Sequence, residues 1–169
     1  MNLRSLMTIA LMATASFAQG PGGRRAASGT PPTPPTPAQL AARELQAAAN
    51  FLHLDSAQTS ALTGNTGLVS ALTADEMTLQ SNAATLKTDY GTLSTQLVSA
   101  PSVTPAELAA IQTLQNADLA TRVQAAGQII AALQTLSPAL TTQQASNLPA
   151  LAARLAAGGG AGRFGGRRP

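Results

Sequence analysis

The side chains of this sequence that could carry out chemistry are a few carboxylates and one histidine. Asp75, Glu76, Asp89 and Asp118 have the groups that general acids and bases use, and His53 has a metal-ligating ring. Acid–base catalysis requires such groups to converge in a desolvated pocket, and a zinc site requires several ligands. With one histidine and no cysteine in the chain, His53 lacks the usual partners of a metal site. We therefore predict no enzyme activity, no catalytic residues, no metal and no cofactor, with the four acids on a solvated polar face.

The positive charge of the chain lies at its two ends. The formal net charge is +3 and the isoelectric point is about 10.6. Between residues 37 and 154 acidic residues nevertheless outnumber basic ones, and five arginines flank that stretch: Arg24, Arg25, Arg163, Arg167 and Arg168. Aromatic residues make up only 2% of the chain, so aromatic interface anchors are not expected. The high isoelectric point therefore does not predict a basic folded surface.

The N-terminal segment has the pattern of a secretory signal peptide. Arg4 gives a short positive region, residues 6–15 form an apolar run, and Ser16 and Ala18 are small residues at the spacing of a cleavage site. The apolar run is about half of the ~20 residues that a membrane span needs. We predict a signal peptide at residues 1–18, cleavage after Ala18, and a periplasmic protein.

Composition divides the rest of the chain into a helical body between two polar tails. Residues 19–36 are rich in glycine, proline and arginine, and residues 157–169 in glycine and arginine. Such segments cannot bury a core, so we predict a disordered leader and a disordered tail around a helical domain at residues 37–156. Their arginines predict weak contact with an anionic envelope surface. Nucleic acid is not expected as a partner of an exported chain.

Four capping boxes predict where helices begin. In each, a Thr or Asp is followed three residues later by Gln or Glu, so that each side chain caps the other residue's backbone amide. The boxes start at Thr36, Asp55, Thr104 and Thr141. Helix ends are predicted near His53, before Pro101 and before Pro138. Pro149 is predicted to interrupt the last helix.

The longest predicted helix runs from residue 55 to residue 97. Its apolar residues follow a coiled-coil a/d register: Leu62, Val69, Leu72, Leu79, Ala83, Leu86, Tyr90, Leu93 and Leu97. Gly64 and Gly67 weaken it, since each glycine costs about 1 kcal/mol in a helix interior. We predict a continuous helix because the register survives the glycines. The alternative is a break into two helices with a second start at Thr73.

A second long helix, from residue 105, is predicted to pair with the first. Its apolar stripe consists of Leu108, Ile111, Leu119, Val123, Ala126, Ile130 and Leu133. A short connection joins the two helices, which predicts an antiparallel hairpin. The predicted fold class is therefore all-α, an elongated helical hairpin with short flanking helices. The hairpin and a dimer seam account for most apolar residues of the stripes, so the sequence names no residue that contacts a client.

Two segments resemble a known family motif. Residues 54–58 (LDSAQ) and 140–144 (LTTQQ) resemble the two LTxxQ motifs of the Spy/CpxP-type periplasmic proteins. The second copy fits the motif fully, and the first has Asp in place of Thr. The motif residues, to which we assign a structural capping role, are Leu54, Asp55, Gln58, Leu140, Thr141 and Gln144. The resemblance covers about residues 40–155.

The resemblance implies a cradle-like antiparallel dimer and a function in the cell envelope. Some members of that family are ATP-independent chaperones that hold unfolded clients on a concave face, and others modulate envelope-stress sensor kinases or bind metals. This chain departs from the chaperones in its acidic, sparsely charged body, and from the metal binders in its single histidine. We expect an exported holdase for unfolded or aggregation-prone envelope proteins. The alternative is an envelope-stress regulatory or cell-envelope interaction protein without chaperone activity.

Overall fold

Six helices make up the part of the chain that the structure describes. A computed structural model gives residues 34–99 and 102–158, which form α1 (Pro37–Leu52), α2 (Ser56–Thr63), α3 (Thr66–Ser99), α4 (Pro105–Gln134), α5 (Thr142–Ser146) and α6 (Leu148–Ala156). The predicted all-α class is confirmed. Within these ranges, none of the helices combines the length and the apolar character that crossing a bilayer requires. The predicted signal peptide, residues 19–33 of the leader and residues 159–169 of the tail lie outside the described residues.

All four predicted capping boxes form. Each cap side chain accepts a hydrogen bond from the amide three residues on, and the Gln or Glu there accepts one from the amide of the cap residue. The predicted ends of α1 and α4 are also confirmed: α1 ends where His53 adopts a left-handed conformation with φ 51°, and α4 ends before Pro138. Pro149 lies in the first turn of α6, which begins anew after α5. These features are local, and local sequence determines them.

The prediction of one continuous helix from residue 55 to residue 97 is wrong. The chain leaves the helix at Gly64 and Asn65, between α2 and α3. The Asn65 Oδ1 accepts from the amide of Leu68 at 3.0 Å, as a capping side chain does. The alternative second start at Thr73 is wrong too, because α3 runs through it and the Thr73 hydroxyl donates to the Val69 carbonyl at 2.7 Å. The break lies at Asn65 because its side chain supplies the cap of a new helix.

Helices α3 and α4 form the predicted antiparallel hairpin. Three side-chain hydrogen bonds join them in reverse order along the chain: Gln124 to Asp75 at 3.3 Å, Asn82 to Asp118 at 2.8 Å and Gln115 to Tyr90 at 2.9 Å. Helix α1 packs along α3, and α6 packs along α4. The two flanking helices thus cover one end of the hairpin.

The hydrophobic core lies at that covered end, which we call the base. Its buried apolar residues are Ala41, Leu45, Ala48, Ala49, Leu52, Leu62, Leu68, Leu72, Ala125, Ala126, Ile129, Leu133, Leu151 and Leu155. We call the rest of the hairpin, residues 73–99 and 102–124, the arm. Among the described residues of the arm, Ile111 and Asp75 alone are buried. The base therefore contributes most of the hydrophobic stabilisation.

The predicted apolar stripes are correct near the base and wrong along part of the arm. Leu62 and Leu72 are fully buried, whereas Leu119 and Val123 are 55% and 53% exposed and Leu97 is 42% exposed. Helix α4 buries Ile111, Ala126 and Leu133 of the predicted stripe, and with them Ala125 and Ile129. The small side chains of Ala125 and Ala126 suit close approach of neighbouring helices. The predicted stripe of α4 is therefore buried at the base and exposed at Leu119 and Val123 in the arm.

Candidate functional site

The structure brings the two predicted motifs together. The side-chain amides of Gln58 and Gln144 exchange hydrogen bonds, at 3.3 Å from Gln58 Nε2 and at 3.1 Å from Gln144 Nε2. Each glutamine also caps its own helix, since its Oε1 accepts from the amide of Asp55 or Thr141. We call these four residues the motif junction. It joins the starts of α2 and α5, whose glutamines Gln58 and Gln144 are 86 residues apart in the sequence.

The motif junction also binds the backbone of the two loops that precede α2 and α5. Gln58 Nε2 donates to the Ala139 carbonyl at 2.9 Å, and Gln144 Nε2 donates to the His53 carbonyl at 3.2 Å. Gln58 is only 3% exposed, and both atoms of its side-chain amide make hydrogen bonds. Leu54 and Leu140 pack against the core beside it. The structural role assigned to the six motif residues therefore extends from capping to holding two loops together.

Sequence reasoning found the two caps and missed the contact between them. The choice of Gln rather than Glu at the last position of the capping box is a sequence signal for this contact. A Glu in this position of the box can only accept, whereas a Gln keeps an Nε2 donor after it has capped the helix. Gln58 and Gln144 both use that donor across the loops, while Glu107 in the box of α4 has none to use.

His53 lies at the C-terminal end of α1. Its backbone closes α1 in the left-handed conformation, and its side chain is exposed. Across residues 34–99 and 102–158, no three His, Cys, Asp or Glu side chains are grouped so that they could hold a metal ion.

A second candidate site is an open groove of about 620 Å³ between α1, α3, α4 and the end of α6. Five leucines line it, Leu40, Leu72, Leu79, Leu119 and Leu155, and the end of α6 and the two residues after it form its rim. The charged side chains that line it are Glu44, Asp75, Glu76, Asp118 and Arg122. We call it the acidic groove, because four carboxyl groups face one guanidinium.

Burial and mutual repulsion perturb the carboxyl groups of the acidic groove. Burial raises the pKa of Glu44 to about 7, with further increases from Glu76 and Asp75 and an opposing effect of Arg122. Burial also raises the pKa of Glu76, helped by Asp75 and opposed by Arg122, and burial raises the pKa of Asp75. Near neutral pH, Glu44 is therefore about half protonated.

The expectation that all four acids lie on a solvated face is wrong for Asp75. Asp75 is 8% exposed, and the Gln124 Nε2 donates to its Oδ1 at 3.3 Å, whereas its Oδ2 has no hydrogen-bond partner. Asp118 lines the same groove, where Asn82 donates to it, and Asp89 lies elsewhere on α3. A buried carboxylate with an unused oxygen is rare in folded proteins and points to a further role.

Glu44 and Arg122 are the groove residues that sequence reasoning did not single out. The signal for Glu44 is helical spacing: Ala41 and Ala48, three residues before and four after it, are both fully buried. A glutamate between two core positions lies at the edge of the buried face of α1. Arg122 carries no comparable local signal, because its place follows from the packing of α4 on α3 and α6.

The arm presents a third feature, an exposed aliphatic surface. The large exposed apolar side chains of the described residues are Met77, Leu97, Val98, Leu119 and Val123, and their exposed fractions range from 42% to 89%. Leu119 and Val123 are one helical turn apart on α4 and form a pair.

Comparison with known proteins gives no relative for this chain. Neither a protein-family model, nor a curated protein, nor a solved structure matches it. The likeness to the Spy/CpxP type therefore rests on the two motif copies and the helical hairpin.

Proposed function

We propose that this protein is an exported, ATP-independent holdase that binds unfolded or aggregation-prone envelope proteins along its helical arm. The observation that carries the proposal is the exposed aliphatic pair Leu119 and Val123, each more than half exposed and one helical turn apart on α4. Exposed apolar side chains that share a helical face can bind apolar segments of other chains.

The division into base and arm supports this proposal. The base holds the core and the motif junction, so it can keep the fold while the arm engages a client. The arm buries few of its own apolar side chains and offers a long surface of aliphatic and uncharged polar groups. Such a surface favours weak, unselective contacts, because aromatic anchors are scarce in this chain.

The compartment, the family and the dimer belong to the same proposal. The signal-peptide pattern of residues 1–18 supports export to the periplasm, and the two LTxxQ-like segments support a Spy/CpxP-type protein. We propose a homodimer in which arms cross, and Arg-rich tails that touch anionic envelope surfaces weakly. Size-exclusion chromatography with light scattering should give twice the mass of one chain, and a compact monomer would contradict the dimer.

Suppression of aggregation tests the holdase. The purified protein should suppress aggregation of dithiothreitol-reduced insulin near stoichiometric ratio without ATP. A Leu119→Ser, Val123→Ser variant should need roughly fivefold more protein for the same effect, because it loses apolar contact area. The matched control is Ala106→Ser with Ala110→Ser, an exposed pair with the same spacing on α4. If the unaltered protein at severalfold excess did not suppress insulin aggregation, the proposal would be contradicted.

The acidic groove favours a second candidate function. A groove with a fixed arrangement of charges suits one defined partner better than many unfolded ones. An envelope regulatory or interaction protein is therefore the alternative. A pull-down from envelope extract that returns one stoichiometric partner would favour it, and many unrelated proteins would favour the holdase.

A further inference from the structure

The acidic groove holds more negative charge than its own residues can neutralise. Its lining carries four carboxyl groups and the single guanidinium of Arg122. The raised pKa values of Glu44, Asp75 and Glu76 show that these groups resist ionisation in the folded chain. A bound cation would supply the missing positive charge and favour the ionised forms.

An independent observation at Asp75 points to the same kind of ligand. This side chain is more than nine-tenths buried and lines the groove, yet its Oδ2 makes no hydrogen bond. Gln124 uses the other oxygen, Oδ1. A carboxylate oxygen can only accept, so the partner that it lacks is a donor, and a cationic donor makes the strongest such bond.

The shape of the groove favours a cationic side chain over a metal ion. No group of three or more candidate ligands within the described ranges is placed to hold a metal. The groove is open, has a volume of about 620 Å³ and has leucine walls at Leu40, Leu72 and Leu79. An aliphatic stem can pack on such walls while its head reaches the carboxylates. A guanidinium, with five donors in a plane, can serve several separated acceptors at once.

We propose that the acidic groove is a binding site for arginine side chains, with Asp75 and Glu76 as acceptors, and that its occupant is the C-terminal segment of this same chain, residues 159–169. Gly158 lines the rim of the groove, and Arg163, the first arginine of that segment, follows five residues later. The segment carries three arginines and no acid, which complements the excess of carboxyl groups in the groove. Covalent linkage gives the segment a high effective concentration at the site. This assignment does not depend on holdase activity.

Gly158, the last described residue, lies against the cation of the groove. Gly158 has φ 77°, a conformation that favours glycine, and a Cβ there would clash with the guanidinium of Arg122. The end of α6 and the groove's own cation are therefore in direct contact.

Peptide binding tests the proposal with the full-length chain. The probe is a fluorescent peptide of residues 162–169, GRFGGRRP, followed by anisotropy at low salt. A chain with Arg163→Gln, Arg167→Gln and Arg168→Gln has a vacant groove and should bind the probe roughly tenfold more tightly than the unaltered chain. In that vacant background, Asp75→Asn should weaken binding roughly tenfold, and Asp89→Asn, the same change elsewhere on α3, should have no effect. A probe with glutamine at its three arginine positions should not bind.

Three outcomes would overturn the proposal. Equal binding by the unaltered and the vacant chain would overturn the assignment of the occupant. Binding that Asp75→Asn and Glu76→Gln both leave unchanged would overturn the site. Equal binding of the glutamine probe would overturn the preference for arginine. Circular dichroism shows whether Asp75→Asn still folds, and Glu76→Gln, at a less buried position, gives the same test if it does not.

Discussion

At the scale of single residues, the motif glutamines show how one side chain can serve local and tertiary structure at once. Gln58 caps α2 with its oxygen and reaches the Ala139 carbonyl with its nitrogen. Gln39 occupies the same position of the box in α1, where its oxygen caps Thr36 in an exposed site. Both glutamines therefore cap a helix. Only Gln58 is buried and bonds to a second loop.

This difference gives a matched pair of substitutions. Gln58→Glu keeps the capping oxygen, removes the donor to Ala139 and places a charge in a buried site, so we expect a loss of about 2–3 kcal/mol in the free energy of unfolding. Gln39→Glu keeps its cap and adds a negative charge at a helix N-terminus, so we expect a change within about 0.5 kcal/mol. Urea denaturation of both variants measures the two values. Equal effects would mean that the motif junction contributes nothing beyond capping.

The shifted pKa values of Glu44 and Glu107 predict that the free energy of unfolding depends on pH. The two residues change it in opposite directions. Glu44 has a pKa of about 7 in the folded chain and 4.5 as its ordinary value, so the folded state holds its proton longer. Stability should therefore fall as the pH rises from about 4.5 to about 7, by roughly 1–3 kcal/mol, because burial, Glu76 and Asp75 raise this pKa and only Arg122 opposes them. Glu44→Gln should remove most of this fall in urea denaturation curves measured across that range, and the raised pKa values of Asp75 and Glu76 account for the rest.

Glu107 provides the control of opposite sign. The backbone amide and then the hydroxyl of Thr104 lower its pKa, so its contribution is present above its ordinary pKa and is lost as the pH falls below it. Glu107→Gln should lower stability at neutral pH, remove the loss of stability at acid pH, and leave the fall between about pH 4.5 and 7 in place. If both variants removed the pH dependence over the same range, the assignment to Glu44 would be wrong.

At the scale of elements, the break between α2 and α3 shows where local signals suffice and where they do not. The capping boxes could be predicted because each lies within four consecutive residues. The break could not, because Gly64 and Gly67 each permit a helix and the deciding contact is the Asn65 side chain on the Leu68 amide. The exposure of Leu119 and Val123 was missed for a different reason: they share a stripe with Ala126 and Leu133, but only the part of that stripe at the base is buried.

Two glycine substitutions test the break. A Cβ at Gly64 would lie 2.8 Å from the Ser60 carbonyl oxygen, which is backbone and cannot move aside freely. Gly64→Ala should therefore destabilise the protein by about 1 kcal/mol. Gly127 lies inside α4 with nothing within 4 Å of such a Cβ, so Gly127→Ala should stabilise it by about 0.5–1 kcal/mol. Thermal unfolding of the two variants compares them directly, and stabilisation by both would indicate a continuous helix.

At the scale of the whole molecule, the buried core lies at one end of the hairpin, and the rest of the hairpin buries few side chains. The base has a core to which α1, α2, α3, α4 and α6 contribute, and it has the motif junction, which joins the loops before α2 and α5. The arm has two helices, a few cross-hairpin hydrogen bonds and an exposed aliphatic surface. The sequence predicts the hairpin, but the uneven distribution of burial along it follows from where α1 and α6 pack.

This division predicts uneven local stability, measured by hydrogen exchange. Amides of the base, around Leu45 and Ile129, should exchange only through global unfolding, because opening them exposes the core. Amides of the arm between residues 79 and 121 should exchange faster by roughly a hundredfold or more, since a local opening there exposes little apolar area. If a second copy or a client covers the arm, as we propose, protection of the arm should rise with protein concentration or client while that of the base stays constant. Uniform protection from base to tip, at every concentration, would instead describe one cooperative unit and remove the physical basis for a separate interacting arm.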